Sequence, residues 1–489
     1  MPLKYTEEQK QEQNGDVEGE ATSSFTVEEA IEKIGFGWLQ LRIYLVCKLI
    51  VATDAMEVML LSLIGPVLQC YWSLHESQVA FMSTAVFFGM TVASPLAGLL
   101  ADRYGRRTLL LISTVWTAFF GLLTTFSPFY VWLLILRGLV GVGMGGIPQG
   151  YAMVAEYVPS KFRAKMIVFS EVLWGCGSLF EILLAALVTP TLGWRWLFAI
   201  SSIPVFIACV GLFFLPESAR FLVAAGRSEE ALKILQRTAE INRESLPPGT
   251  IVKSKEMSLG SLRDLFSREY RLTTILLWPI WFGASFGYYG IVLASPLLLS
   301  QQKANSTNGS GGECNVLDRE DYVSLATSTV GEFAGLLVSF LLIDRIGRRW
   351  TGVLLLLGAA IFLFLLQLRV DHVLLTLFIF GARGTTLTVF NLFFIYTVEV
   401  YPTTMRALSV GMAVAWARLA SMITPFFAQV LMVYSVPITV TIYGVVCLLC
   451  ALFTFLLPIE TMGRPMMQSV SYEPAKEPEE TTKIISGNT

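Results

Sequence analysis

Ionisable side chains occur inside long apolar stretches of the sequence, where a charge is normally unfavourable. A charged side chain at the centre of a bilayer costs about 2.5 to 3.5 kcal/mol on insertion scales, so each one requires an opposite charge or a water-filled cavity. Such residues bind charged cargo, carry protons or form structural ion pairs. The candidates for this chemistry are Asp54, Glu57, Arg137, Glu171, Glu181, Glu332, Arg383 and Arg418.

Asp54 and Glu57 are two carboxylic acids spaced three residues apart, which places them on one face of a helix. Two carboxylates on one face compete for a proton, because the second negative charge disfavours ionisation of the first. This pattern predicts proton coupling or cation binding. The alternative is a buried ion pair between one of them and a basic neighbour such as Arg137.

Arg418, Arg383 and Glu332 lie near the middle of their apolar stretches, as does Asp54. A guanidinium holds a carboxylate through two parallel hydrogen bonds, and its charge does not titrate away. We therefore predict that Arg418 and Arg383 contact an anionic substrate together with Glu332. The alternative is that Glu332 neutralises one of the two arginines in a purely structural pair.

The residue types that support enzymatic chemistry are scarce. The only two histidines, His75 and His372, stand at the ends of apolar stretches, and no nucleophile-and-base pair or metal-ligand spacing is present. We expect no enzymatic activity, no cofactor and no metal. The net charge of −2 gives no global field that would attract nucleic acid.

The elements that position these residues follow from hydropathy. Hydrophobic residues make up 54% of the 489 residues and charged residues 15%, against roughly a quarter charged in an average soluble domain. Stretches of membrane-crossing length predict twelve transmembrane helices in an all-α polytopic protein. The predicted segments are a tail (1–40), a six-helix half (41–215), an interhelical segment (216–271), a second six-helix half (272–457) with a loop (300–321), and a second tail (458–489).

An internal repeat relates the two halves. The motif Asp-Arg-x-Gly-Arg-Arg begins at Asp102 and again at Asp344, an offset of 242 residues, and Glu-x-x-Pro-x-x-x-Arg begins at Glu156 and at Glu399, an offset of 243. Pro-Glu at Pro216 is followed in the second half by a similar Pro-x-Glu. Three motif pairs in one register indicate duplication of a six-helix unit. Glycines 141, 143 and 146 fall inside predicted helix 4, where they favour close helix packing over dinucleotide binding.

These motifs resemble the major facilitator superfamily over residues 40–460. The short segment between helices 1 and 2 and the longer loop after helix 7 resemble the synaptic-vesicle-protein-two-related, or SVOP-like, transporters. The segment Arg418-Leu419-Ala420-Ser421 resembles helix 11 of organic-ion carriers, where arginine at the first position is typical of anion carriers. The resemblance implies the major facilitator fold and alternating access about a midplane site.

The resemblance also implies that the motif loops close the cytoplasmic side of the cavity. We expect Asp102 and Asp344 to accept hydrogen bonds from a neighbouring helix N-terminus, and Arg103, Arg107 and Arg163 to pair with Glu156 and Glu217. The alternative role for the arginines is to set topology and to contact lipid headgroups. The predicted gate comprises Asp102, Arg103, Arg107, Glu156, Arg163, Glu217, Asp344, Arg345, Arg349, Glu399 and Arg406.

Lysine and arginine counts predict the orientation. With a cytosolic N-terminus, ten of these residues lie in the short inner loops and ten more in 216–271, against four in the outer loops, so both termini are predicted to be cytosolic. The loop 300–321 then faces the lumen or the exterior. It carries the glycosylation sequons at Asn305 and Asn308, and its Cys314 is a candidate disulfide partner of Cys70.

We therefore predict a secondary active transporter of a small organic ion, preferably an anion, with Asp54 or Glu57 as the proton-coupling carboxylate. Its partners are a small-molecule substrate and the lipid bilayer, and we expect a monomer in the plasma membrane or an intracellular vesicle membrane. One alternative is a carrier of sugars or organic cations. Another is a transporter-like protein that acts in binding or trafficking without transport.

Overall fold

The computed structural model describes residues 24–252, 261–306 and 317–463. The first half contains the helices α2 (Trp38–Trp72), α3 (Glu76–Tyr104), α4 (Arg106–Thr124), α5 (Tyr130–Met144), α6 (Gln149–Tyr157), α7 (Ser160–Leu192) and α8 (Trp194–Phe213). The second half contains α12 (Arg271–Ser306), α13 (Arg319–Ile346), α14 (Arg348–Leu365), α15 (His372–Val400), α16 (Thr403–Pro425), a π-helical turn (Phe426–Leu431), α17 (Met432–Tyr434) and α18 (Val436–Leu456).

These helices form twelve transmembrane spans, since α5 continues into α6 and α16 continues through the π-helical turn into α17. Within the described residues, eleven spans are long and apolar enough to cross a bilayer. The twelfth is α2, which is 35 residues long and carries four ionisable side chains, Arg42, Lys48, Asp54 and Glu57. The predicted all-α architecture of twelve helices in two six-helix halves is confirmed.

Predicted helix 4 is interrupted where its small residues concentrate. A continuous helix over 129–153 was expected, but α5 ends at Met144 and α6 begins at Gln149, with a turn at Gly145-Gly146-Ile147-Pro148 between them. Glycine weakens a helix and proline removes a backbone donor, which explains the break. The glycines also allow close packing, because a Cβ on Gly141 would lie 2.1 Å from the carbonyl oxygen of Val86 in α3.

The bundle has two faces. The face that carries both ends of the described chain is called the tail face, and the opposite face, where α12 ends and α13 begins, is called the loop face. The two halves contact each other through hydrogen bonds in the loop-face portions of their helices. Ser62 Oγ donates to the Val292 carbonyl at 2.6 Å, and Ser83 Oγ donates to Gln429 Oε1 at 3.2 Å. The halves are therefore closed at the loop face.

A small assembly at the tail face joins the chain start to the segment between the halves. It consists of β1 (Ser24–Phe25), α1 (Val27–Ile34), α9 (Ala219–Ala224), α10 (Ser228–Asn242) and β2 (Thr250–Ile251). The short helix α11 (Leu262–Leu265) lies beside α16 and packs on the second half instead. The strands β1 and β2 pair in parallel. Arg220 forms an ion pair with Glu28, and Lys33 Nζ donates to the Leu246 carbonyl at 2.9 Å. Apolar side chains of α1, α9 and α10 share one core, so the chain start is fastened to the first half.

The close approach of α3 and α5 predicts the effect of one methyl group. In Gly141→Ala the new Cβ meets backbone atoms of α3 that have no room to move, and overpacking of this kind costs about 1 to 3 kcal/mol. We expect a lower thermal unfolding temperature in detergent, measured by intrinsic fluorescence. The matched control is Gly98→Ala in α3, where nothing lies within 4 Å of the new Cβ. Equal unfolding temperatures for the two variants would contradict the packing described here.

Candidate functional site

An ion pair is buried within the first half. Arg137 of α5 and Glu57 of α2 lie 2.8 Å apart between Nη1 and Oε2, and the arginine side chain is 0% exposed. Arg137 Nη2 also donates to Thr124 Oγ1 at 3.1 Å, and its guanidinium lies 4.8 Å from the ring centre of Phe198. Glu57 is thus neutralised by its own half. The structure supports the ion-pair alternative for Glu57 over the coupling role.

A second pair is buried within the other half. Arg383 of α15 donates from Nη2 and Nε to Glu332 Oε1 of α13 at 2.6 and 3.1 Å, and both side chains are almost fully buried. Tyr288 donates to the same oxygen at 3.5 Å and accepts a hydrogen bond of 2.6 Å from Trp174. Arg383 and Glu332 were predicted to contact substrate, but the geometry supports the structural pair that was the alternative.

Asp54 and Arg418 stand at the same depth on opposite halves and remain open to further partners. Asp54 is near the midpoint of α2 and Arg418 near the midpoint of the span 403–434. Both side chains are only partly buried although they lie at the centre of the bundle. Within the described residues, Asp54 forms no ion pair within 4 Å, and its Oδ1 is buried without a hydrogen-bond partner. Arg418 Nη1 contacts the Met90 sulfur at 3.1 Å.

Asp54 and Arg418 are nevertheless electrostatic neighbours across the interface between the halves. Asp54 interacts with Arg418 and more weakly with Glu57. Tyr289 of α12 interacts with both Arg418 and Asp54, so its hydroxyl lies in the same region. An anion at Arg418 or a cation at Asp54 would therefore lie close to all three side chains.

Lys48 lies closer to the tail face and forms a second charged layer with Glu171, and it was not recognised as a site residue from the sequence. Lys48 is 1% exposed, and its Nζ lies 3.6 Å from the ring centre of Tyr151. It interacts with Glu171 of α7, which in turn lies beside Asn391 of α15. Glu171 was recognised as an intramembrane acid but was not assigned to the site. A lysine inside the apolar stretch 43–51 was the available signal for Lys48.

The first motif loop organises its arginines differently from the prediction. Arg106, not Arg103 or Arg107, forms the ion pairs: its Nη2 lies 2.8 Å from Asp102 Oδ1, and its Nε lies 3.2 Å from Glu156 Oε1. Arg103 lies over the ring of Tyr104, 5.4 Å from its centre. Asp102, at the end of α3, is therefore a partner of Arg106 at the start of α4, and it does not make the predicted hydrogen bonds to a helix N-terminus.

The second motif loop repeats this arrangement. Arg348 contacts Asp344 at 3.3 Å and binds Glu399 through two hydrogen bonds of 3.0 Å. Arg345 is exposed, and Arg406 is partly buried. Arg163 also belongs to the predicted gate, and its side chain lies outside the described part of the structure. Each of the ion pairs described here for the two loops joins helices of one half, so these pairs hold each half together.

Glu217, which follows the last helix of the first half, binds the N-terminus of α4. Its carboxylate accepts hydrogen bonds from the backbone N–H groups of Arg107 at 3.0 Å and Thr108 at 3.2 Å, at the start of α4. A negative charge at this end is favourable because the helix dipole is positive there. Gly105, with φ of +103°, leaves the space, since a Cβ there would lie 2.3 Å from the Glu217 carboxylate.

The Arg107 side chain binds the C-terminal end of α8. Its Nη2 donates to the Phe213 carbonyl at 2.6 Å, at the end of α8, where the helix dipole is negative. Glu460 and Arg349 repeat both roles in the second half: Glu460 accepts from the Arg349 backbone N–H at 3.0 Å, and the Arg349 side chain donates to the Phe455 carbonyl at 2.7 Å. The side-chain pairs predicted for Arg107 with Glu156 and Glu217 are thus replaced by helix-end contacts.

The loop-face predictions lie at the edge of the described residues. Asn305 is in the last turn of α12, whereas Asn308 and Cys314 lie outside the described residues. Cys70 is disulfide-bonded. Within the described residues, no group of three or more histidine, cysteine or acidic side chains is arranged to hold a metal ion.

The motif-loop geometry predicts unequal roles for two neighbouring arginines. Arg106→Gln removes both charged contacts and leaves Glu156, which is largely buried, without its partner, so we expect a loss of about 1 to 3 kcal/mol and a lower unfolding temperature. Arg103→Gln is the matched control and should leave the unfolding temperature nearly unchanged. A larger fall in unfolding temperature for Arg103→Gln than for Arg106→Gln would contradict these contacts and support the predicted pairing of Arg103 with Glu156 or Glu217.

Substitutions of the two central carboxylates, Glu57 and Asp54, are also expected to have unequal effects on stability. Glu57→Gln leaves Arg137 buried and uncompensated, which costs about 3 to 5 kcal/mol for a buried pair. Asp54→Asn removes a charge that has no ion-pair partner within 4 Å among the described residues, so the unfolding temperature should be unchanged or higher. Thermal unfolding of both variants in the same detergent measures the difference. A destabilised Asp54→Asn with an intact Glu57→Gln would reverse the assignment of the two acids.

Comparison with known proteins identifies the family. The profile of the family described as "Sugar (and other) transporter" matches residues 54–470. The chain is 43% identical to the synaptic vesicle 2-related protein of Xenopus laevis over 454 residues, covering 91% of this chain and 83% of the relative. It is 42% identical to human SVOPL over 460 residues, covering 91% and 94%.

A solved structure shows the same fold. The xylose transporter XylE from E. coli, in a partially occluded inward open conformation, is 19% identical and superposes with a TM-score of 0.68 over 87% of this chain and 99% of that one. The predicted major facilitator fold and the resemblance to SVOP-like proteins are confirmed. The chain therefore belongs to the sugar (and other) transporter family of the major facilitator superfamily, and it is an integral multi-pass membrane protein.

Proposed function

We propose that the protein is a secondary active transporter that moves a small organic ion by alternating access. The observation that carries the proposal is the position of Asp54 and Arg418. They face each other from opposite halves at the bundle centre, and Asp54 has no ion-pair partner within 4 Å in the described part of the chain. Substrate sites of such transporters lie near the midplane between the two repeats. Binding here would engage both halves at once.

The contacts between the halves support a rocking motion. The hydrogen bond from Ser62 to Val292 and the one from Ser83 to Gln429 close the loop face, whereas the ion pairs of Arg106 and Arg348 at the tail face each stay within one half. A typical hydrogen bond contributes only about 0.5 to 1.5 kcal/mol net, so these contacts are readily exchanged for others. Cargo bound at the centre would therefore reach the loop face after limited rearrangement.

We assign Arg418 as the contact for an anionic group and Asp54 as the coupling carboxylate. An anion at Arg418 brings a second negative charge close to Asp54, which favours protonation of that acid. The other groups that face Asp54 are Glu57 on its own helix, Tyr289 of α12 and Tyr151 of α6. Arg383 and Glu57 are already paired within their halves, and we assign them a supporting role beside the site rather than contact with the ligand.

Two other functions have specific support. A carrier of neutral sugars fits the family description and the xylose substrate of the solved relative, and a carrier of organic cations would use Asp54 as its contact. In either case Arg418 is dispensable. A non-transporting protein would bind a ligand at the centre without exchanging it across the bilayer.

The location of the protein is part of the proposal. Lysine and arginine are concentrated in the tail-face loops, which supports a cytosolic tail face. The name of the synaptic vesicle 2-related relatives favours a vesicle membrane over the plasma membrane. The loop face would then be lumenal.

Counterflow in proteoliposomes tests the proposed function. Purified protein is screened with a panel of organic anions, organic cations and sugars, and each ligand is then tested for exchange by the wild type and by Arg418→Ala. We expect an anion-bearing ligand to exchange and Arg418→Ala to reduce exchange at least tenfold, equivalent to about 1.4 kcal/mol of lost interaction.

The matched control for this substitution is Arg369→Ala, which removes an exposed arginine at the loop face and should exchange like the wild type. Exchange of sugars or cations that is insensitive to Arg418→Ala would replace the anion assignment with the corresponding alternative. Specific binding without exchange would support the non-transporting function.

A further inference from the structure

We infer that the cargo is a zwitterion, with its anionic group at Arg418 and its cationic group at Asp54. This inference rests on the proposed function, because it concerns the ligand of the same central site. It names a narrower chemical class than a small organic ion: a molecule with one carboxylate-like group and one ammonium-like group.

Most charges at this depth are already neutralised by their own half. Glu57 pairs with Arg137 at 2.8 Å, and Glu332 pairs with Arg383 at 2.6 Å. These pairs join helices of one half, so they persist when the halves move relative to each other. They offer little to a ligand, because displacing a partner would leave a buried charge uncompensated.

Asp54 and Arg418 differ because they belong to opposite halves. They interact through space, but their charged atoms are not in ion-pair contact within 4 Å in the described structure. Asp54 Oδ1 is buried and has no hydrogen-bond partner. A ligand that carries both charges would satisfy the two groups at once. It would also link the halves, so occupancy of the site would favour closure around the ligand.

A ligand with a single charge fits this arrangement less well. An anion at Arg418 is repelled by ionised Asp54, and a cation at Asp54 is repelled by Arg418. Either would bind well only if its unfavourable neighbour lost its charge. Arginine does not deprotonate in proteins, so only the anion has such a route, through protonation of Asp54. The pH dependence of binding therefore separates a zwitterion from an anion.

The layer closer to the tail face repeats the same balance of charge. Lys48 and Glu171 interact with each other, and Tyr151 interacts with both Glu171 and Asp54. Glu171 and Tyr151 are partly exposed at this depth. Because Lys48 and Glu171 both belong to the first half, they compensate each other within it, as Glu57 and Arg137 do.

The test uses three ligands with the same carbon chain: 5-aminopentanoate, pentanoate and pentylamine, with the ω-amino acids from glycine to 6-aminohexanoate to allow for size. Binding to the full-length purified protein is measured by competition and by thermal stabilisation, and exchange is measured in proteoliposomes. We expect at least one ω-amino acid to bind at least tenfold more tightly than its amine and acid analogues. Between about pH 6 and about pH 8 both of its groups stay charged, and its ammonium needs Asp54 ionised, so its affinity should stay constant or fall, and not rise, as the pH is lowered.

Two substitutions separate the contributions of the two ends. Asp54→Asn should remove the preference for the ω-amino acid over the acid, and Arg418→Gln should remove its preference over the amine. Glu76→Gln and Arg369→Gln change one acid and one arginine at the loop face, and they should leave both preferences unchanged.

Other outcomes overturn the inference in distinguishable ways. If pentanoate binds as tightly as 5-aminopentanoate, with affinity that rises as pH falls and loses this dependence in Asp54→Asn, the cargo is an anion; the proposed function stands and the zwitterion is excluded. If no ω-amino acid of the series binds while other organic ions exchange, the zwitterion is likewise excluded and the proposed function stands. If no organic ion exchanges, both the inference and the proposed function fall.

Discussion

The structure depends on one constraint: a charge placed in hydrocarbon needs either an opposite charge or water. Within the first half Glu57 neutralises Arg137, and within the second half Glu332 neutralises Arg383. Each pair joins helices of one half, so it is kept when the halves move relative to each other. Asp54 and Arg418 meet the constraint only between the halves, which is why the interface, and not either half alone, carries the candidate site.

A related constraint acts at the helix ends, where backbone groups lack partners within the helix. Glu217 satisfies N–H groups at the start of α4, and Arg107 satisfies a carbonyl at the end of α8. Glu460 and Arg349 do the same in the second half. The repeated motif is thus a device that ties the third and sixth spans of each half together. These four charged residues bind helix ends within one half and not across the interface between the halves.

The sequence predicted the fold because hydropathy and the internal repeat are local signals that need no knowledge of packing. It also located the intramembrane charges, apart from Lys48, a lysine inside the apolar stretch 43–51. It offered the pairs of Glu57 with Arg137 and of Glu332 with an arginine only as alternatives, and it could not decide between these pairs and contacts to a ligand. Whether Arg103, Arg106 or Arg107 reaches Glu156 depends on how two segments about 50 residues apart approach each other, and a spacing in sequence does not contain this geometry. Glu57 and Asp54 looked equivalent for the same reason.

The parallel pairing of β1 with β2 has a consequence for biosynthesis. It joins Ser24 to Thr250, whose separation in sequence spans the entire first half. Because synthesis proceeds from the N-terminus, the chain start leaves the ribosome long before its partner strand exists. All six spans of the first half precede β2 in the chain, so the pairing forms only after they have been made. Formation of this assembly therefore requires that all six spans of the first half have been synthesised.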